Sequence, residues 1–128
     1  LNEATHKKLY IHLDTNNKRV IGIMECLRVL KPNGFFMFQV WSWEQDNQHF
    51  KFNKGDNLVP WKLRKKDVLK NVPKSEKNEI VEIINRYYYI FDKQEIYKLI
   101  NTCISFKTAK LINCKNEKGN WIVILQKL

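Results

Sequence analysis

A helical stripe that breaks at Lys31-Pro32-Asn33-Gly34 and passes at once into a largely apolar run, Phe35 to Trp43, leaves this chain few architectures other than a sheet flanked by helices. Asp14 and Thr15 offer an N-cap. Val20, Ile23, Met24, Leu27 and Leu30 then recur at three- and four-residue spacing, which predicts an amphipathic helix over residues 15 to 31. Proline cannot continue it, and Asn33-Gly34 suits a turn with positive φ. The run that follows predicts an interior strand buried on both faces, the habit of parallel sheets.

Residues 44 to 73 are polar and irregular, with Gly55, Pro60, Pro73 and a short Leu58-Val59-Pro60-Trp61 island, and predict either a disordered segment or a lid-like loop. Ile80, Val81, Ile83 and Ile84 suggest a short helix before an aromatic strand from Arg86 to Phe91. From Asp92 as N-cap, Ile96, Leu99 and Ile100 mark a second helix ending near Cys103. Phe106–Cys114 and Asn120–Leu128 then read as two strands of an antiparallel hairpin, joined by Asn116-Glu117-Lys118-Gly119. Residues 1 to 10 do not read as an apolar strand. The expected organisation is thus one domain: helix and core strand over 11–43, a lid over 44–73, helices and terminal hairpin over 74–128.

With 128 residues, 44% apolar and 12% aromatic, the chain can bury one real core. No apolar run approaches the roughly 20 residues of a membrane span and no secretory leader is visible, so a soluble protein is expected. The chain begins at Leu1, which suits a processed product or a piece of a longer reading frame. Cys26, Cys103 and Cys114 lack metal-binding or disulfide spacing, so no metal site is expected, and two of them fall on predicted helices as buried thiols. A net charge of +10 invites nucleic acid, although 19 of the 23 basic residues are Lys amid abundant Asn, a pairing that AT-rich coding also produces. The densest cluster, Lys62, Arg64, Lys65 and Lys66, directly follows Trp61, which places phosphate contacts beside a stacking aromatic. An ordinary solvated loop is the rival reading.

The order helix, strand, lid, helix, strand and antiparallel hairpin, together with His12-Leu13-Asp14-Thr15, Arg19, Glu25 and Arg28-Val29-Leu30-Lys31-Pro32-Asn33-Gly34, resembles the C-terminal part of a class I S-adenosylmethionine-dependent methyltransferase. That part is an α/β, Rossmann-like fold ending in an antiparallel hairpin. Val40-Trp41-Ser42-Trp43-Glu44-Gln45, Asn57-Leu58-Val59-Pro60-Trp61, Arg86-Tyr87-Tyr88-Tyr89-Ile90-Phe91 and Gly119-Asn120-Trp121 resemble, in that order, the eukaryotic methyltransferases that esterify carboxymethyluridine at the tRNA wobble position. The family usually has Gly at Asn33, Gln-Asp-Val at Gly55-Asp56-Asn57 and His at Tyr89.

The resemblance implies methyl transfer from S-adenosylmethionine to an acceptor carboxylate that is already ionised, so positioning and charge placement dominate over acid-base work. His12 and Arg86 are the implied catalytic residues, the guanidinium suited to gripping the carboxylate or a phosphate. Trp41, Trp43 and Trp61 could stack a splayed base, with core packing the rival reading for Trp41; Glu44 and Gln45 could orient the uridine. Arg64, Tyr88, Asn120 and Trp121 complete the substrate-binding set, Trp121 also reading as core. The family's glycine-rich cofactor turn has no counterpart among Gly22, Gly34, Gly55 and Gly119, so the cofactor-binding half is expected to be absent and the segment alone inactive. A non-catalytic RNA-binding or subunit-interaction remnant and a small-molecule methyltransferase are the alternatives. The implied partners are tRNA and a small zinc-binding activator subunit, without a membrane, in the cytoplasm or nucleus.

Overall fold

The computed structural model describes residues 4–10 by their backbone and residues 13–45 and 53–128 in full. The elements are β1 (Ala4–Tyr10), α1 (Asn16–Arg28), β2 (Leu30–Trp41), β3 (Gly55–Arg64), α2 (Lys65–Val68), β4 (Ile80–Ile90), α3 (Lys93–Ile104), β5 (Ala109–Glu117) and β6 (Asn120–Lys127). They form two compact units, 1–57 with 88–128, and Leu58–Tyr87.

The first unit is a four-stranded sheet in the order β1-β2-β6-β5. β1 runs parallel to β2, with Leu9 opposite Phe38, and β6 lies antiparallel to both β2 and β5. Phe36, Phe38 and Val40 sit opposite Leu125, Val123 and Trp121, and all six are buried. Ile23 and Leu27 of α1 and Ile96, Leu99, Ile100 and Cys103 of α3 close the same core. Thr15 Oγ1 accepts from Lys18 N at the start of α1, and Asp92 Oδ1 accepts from Glu95 N at the start of α3, so both expected caps form.

Several expectations need correction. α1 ends at Arg28, short of residue 31, because Val29 closes its last turn and β2 already begins at Leu30. Asn33 takes a positive φ of 68°, a conformation open to Gly and Asn, which accounts for either residue standing there. β2 is buried on one face only: Phe35 is 43% exposed, and Met37, Gln39 and Trp41 are half-buried. Residues 4–10 do form a strand, since ladder pairing to β2 outweighs their weak apolar pattern. The Ile80–Ile84 stretch is the start of β4 rather than a helix, in keeping with the stiffness of β-branched side chains. Part of the expected irregular lid is β3, where Pro60 is tolerated because a two-stranded pairing leaves one edge open.

The second unit holds most of β3 and β4, α2 and their connection. Lys65 N donates to Glu79 O at 2.8 Å, Arg64 N donates to Asp67 Oδ2 at 2.9 Å, and Lys65 Nζ pairs with Glu76 at 2.8 Å. Among the described residues no helix is long and apolar enough to cross a membrane.

Candidate acceptor site

The two parallel strands end at Tyr10 and Trp41, and the chain leaving β2 is tied by hydrogen bonds to the β5–β6 hairpin, to Phe91 after β4 and to the start of α3. Ser42 N donates to Gly119 O at 2.9 Å, while Trp43 N donates to Phe91 O, also at 2.9 Å. Ser42 is fully buried; its hydroxyl donates to Glu44 Oε2 at 3.0 Å and accepts from Asn116 Nδ2 at 2.8 Å. Asn116 Nδ2 also donates to Glu44 O at 3.0 Å. The second oxygen of Glu44 accepts from Lys93 N, the first residue of α3, at 3.1 Å. Gln45 Nε2 donates to Ser42 O at 2.5 Å and to Gly119 O at 2.9 Å. Together these bonds clasp the end of β2, the start of α3 and the tip of the β5–β6 hairpin.

The clasp fixes two indoles. Trp41 stacks on Tyr88, with ring centroids 4.3 Å apart and planes 12° apart, and Trp43 is 44% exposed with the Lys54 ammonium 4.9 Å above its ring. Such flat surfaces at the carboxyl ends of parallel strands suit a planar heterocycle. Trp121 is only 6% exposed, and its Nε1 donates to Phe91 O at 3.2 Å, so it is core and supports the clasp from below. Asn120 follows the turn, its amide donating to Lys118 O at 3.3 Å.

The structure therefore brings together Trp41, Trp43, Glu44, Gln45, Tyr88, Asn120 and Trp121. Arg86, Trp61 and Arg64 belong to the second unit, where the Arg86 guanidinium lies 4.6 Å above the Trp61 ring. His12 lies outside the described residues. Both carboxylate oxygens of Glu44 and the amide nitrogen of Gln45 are spent on the clasp, which makes these residues supports for the tryptophans.

No protein-family profile matches the chain. The tRNA (carboxymethyluridine(34)-5-O)-methyltransferase of Schizosaccharomyces pombe is 30% identical over 123 residues, covering 91% of this chain and 52% of that protein. The chain is a homologue of the tRNA carboxymethyluridine methyltransferases. It spans about half the length of that yeast relative. The probable tRNA methyltransferase 9B of Homo sapiens is 48% identical over 50 residues, 39% of this chain and 11% of that protein. Among solved structures, the CcbJ methyltransferase of Streptomyces caelestis matches 98% of the chain and 61% of its own length with a TM-score of 0.61 at 9% identity. A SAM-dependent methyltransferase of Methanosarcina mazei matches 97% and 59% with a TM-score of 0.55 at 17% identity. The fold is the C-terminal part of the class I methyltransferase fold.

Arg19 was not singled out as a site residue from the sequence of this methyltransferase homologue. It is 5% exposed, its Nε donates to Leu13 O at 2.8 Å, and its guanidinium lies 3.7 Å over the Tyr89 ring. Asn16, Arg19, Tyr89, Phe91, Glu95 and Lys98 line a cavity of about 310 Å³. The Tyr89 hydroxyl donates to Glu95; burial first, then that bond, pushes its pKa up to about 12. The available signal was helical phase, since Arg19, Ile23 and Leu27 share the buried side of α1. The four glycines stand apart, in α1, β2, β3 and the β5–β6 turn.

Proposed function

We propose that the chain forms the acceptor side of a tRNA methyltransferase that esterifies the carboxylate of carboxymethyluridine at the wobble position, with S-adenosylmethionine as methyl donor. The supporting observation is the clasp itself: Trp41-Ser42-Trp43-Glu44-Gln45 and Gly119-Asn120-Trp121, segments that resemble the family's, meet at the carboxyl ends of the parallel strands. In this reading Trp41, backed by Tyr88, receives the splayed uracil ring, and Trp43 with Lys54 borders it. Glu44 and Gln45 hold both indoles in place, which is the form of help a reaction governed by positioning requires. No acid or base is needed, because the nucleophilic carboxylate is ionised at neutral pH. The seat for the donor lies outside these residues, and the small zinc-binding subunit and a cytoplasmic or nuclear setting belong to the same proposal.

The test is competition between two anticodon stem-loop RNAs that differ only in carrying carboxymethyluridine or uridine at the wobble position. Tighter binding of the carboxymethyl form, lost in W41A, is expected. Equal binding of both would overturn the assignment.

A further inference from the structure

The second unit, Leu58–Tyr87, exposes apolar side chains on both sides of its strands: Leu58, Val81 and Ile83, and also Trp61 and Ile84. A two-stranded ribbon bare on both faces is marginal by itself, and exposed apolar surface of this kind marks a binding site. Charge decides the occupant. The segment has eight Lys and Arg against four Asp and Glu. Three of the four acids are engaged around α2 and the turn that follows: Glu76 and Glu79 by Lys65, Asp67 by Arg64 N. The strands themselves are left with Lys62, Arg64 and Arg86 against Glu82. Lysine is depleted at protein–protein interfaces, whereas phosphate contacts select it.

The shape agrees with the charge. Trp61 is 40% exposed, and the Arg86 guanidinium lies 4.6 Å over its ring. Indole and guanidinium planes both accept stacked bases, and they are useless to bases already stacked inside a duplex. We infer that the ribbon Leu58–Tyr87 binds single-stranded RNA, with bases stacking on the Trp61–Arg86 pair and phosphates meeting Lys62 and Arg64. The inference takes the anticodon loop as natural ligand from the function proposed above; the site and its chemistry come from the ribbon alone.

The test uses the 128-residue chain and a fluorescein-labelled anticodon stem-loop with plain uridine at the wobble position, read by anisotropy across a salt series. The expected result is binding that weakens steeply with salt, with W61A and R86A each weakening it about ten-fold. R86K keeps the charge and loses the planar stack, so its affinity falls while the salt slope is retained. Replacement of Lys110 and Lys115 by alanine leaves affinity unchanged. Wild-type affinity in W61A and R86A, equally tight binding of a blunt RNA duplex, or dimerisation through this ribbon without RNA binding would each overturn the inference. Because the probe has no carboxymethyl group and no cofactor is added, indifference to the wobble modification defeats only the acceptor reading. Loss of these ribbon effects defeats only this one.

Discussion

Gly119→Ala probes the clasp at its tightest point. Gly119 has a φ of +78°, and a Cβ there would lie 2.7 Å from Gln45 Cδ and 2.8 Å from its Nε2. Alanine in the left-handed region costs about 1 kcal/mol. The Gln45 amide must also swing away, giving up its bonds to Ser42 O and Gly119 O, worth about 1 kcal/mol each. The total is about 3 kcal/mol, or roughly 12 °C in Tm for a domain of this size. Gln45→Ala alone loses only the two bonds, about 2 kcal/mol. In that background the three atoms nearest the added methyl are gone and Gly119→Ala is expected to cost only its backbone strain, about 1 kcal/mol. A double-mutant cycle followed by circular dichroism melting should therefore show a coupling of about 2 kcal/mol. Additive effects of the two substitutions would refute the contact and the clasp built on it.

Ser42→Ala removes the hydroxyl between Glu44 and Asn116 in a fully buried position and should cost about 1–3 kcal/mol, read as a lower urea midpoint at unchanged slope. Tyr89 has a raised pKa in the fold, so its protonated hydroxyl contributes stability that is complete below pH 10 and lost as pH rises through about 12. A spectrophotometric titration of the phenolates should show a late component that disappears in Y89F. Burial pushes the Cys103 thiol up to about 11, so it should react with a disulfide reagent far more slowly than Cys26 or Cys114, and catch up only when the chain is unfolded.

The helices and the hairpin were legible because their signals are local. Thr15 and Asp92 cap as expected, and the apolar spacing in α1 and α3 matches a helix face. β1 was not legible, because Ala4–Tyr10 earns its conformation from a ladder with β2, a partner more than twenty residues away in sequence. Ile80, Val81, Ile83 and Ile84 satisfy helical spacing and β-propensity alike, and only pairing with β3 decides between them. The segments of the acceptor site stood out in the sequence, but their mutual role did not. Gln45 and Gly119 are 74 residues apart, and nothing local announces that a glutamine amide will close over a glycine carbonyl. Arg19 hid for a related reason: a lone arginine on an apolar helix face is read as an interruption until Tyr89 is seen beneath it.

The chain has four tryptophans, at 41, 43, 61 and 121, and so four indole N–H signals that nitrogen-15 NMR can follow separately. Titration with an anticodon stem-loop carrying carboxymethyluridine at the wobble position tests the acceptor assignment most directly. The account predicts large shifts at Trp41 and Trp43 that exceed those caused by the uridine stem-loop, while Trp121, bonded to Phe91 O, barely moves. Unshifted Trp41 and Trp43 signals at saturating RNA, or the same shifts with both RNAs, would contradict it.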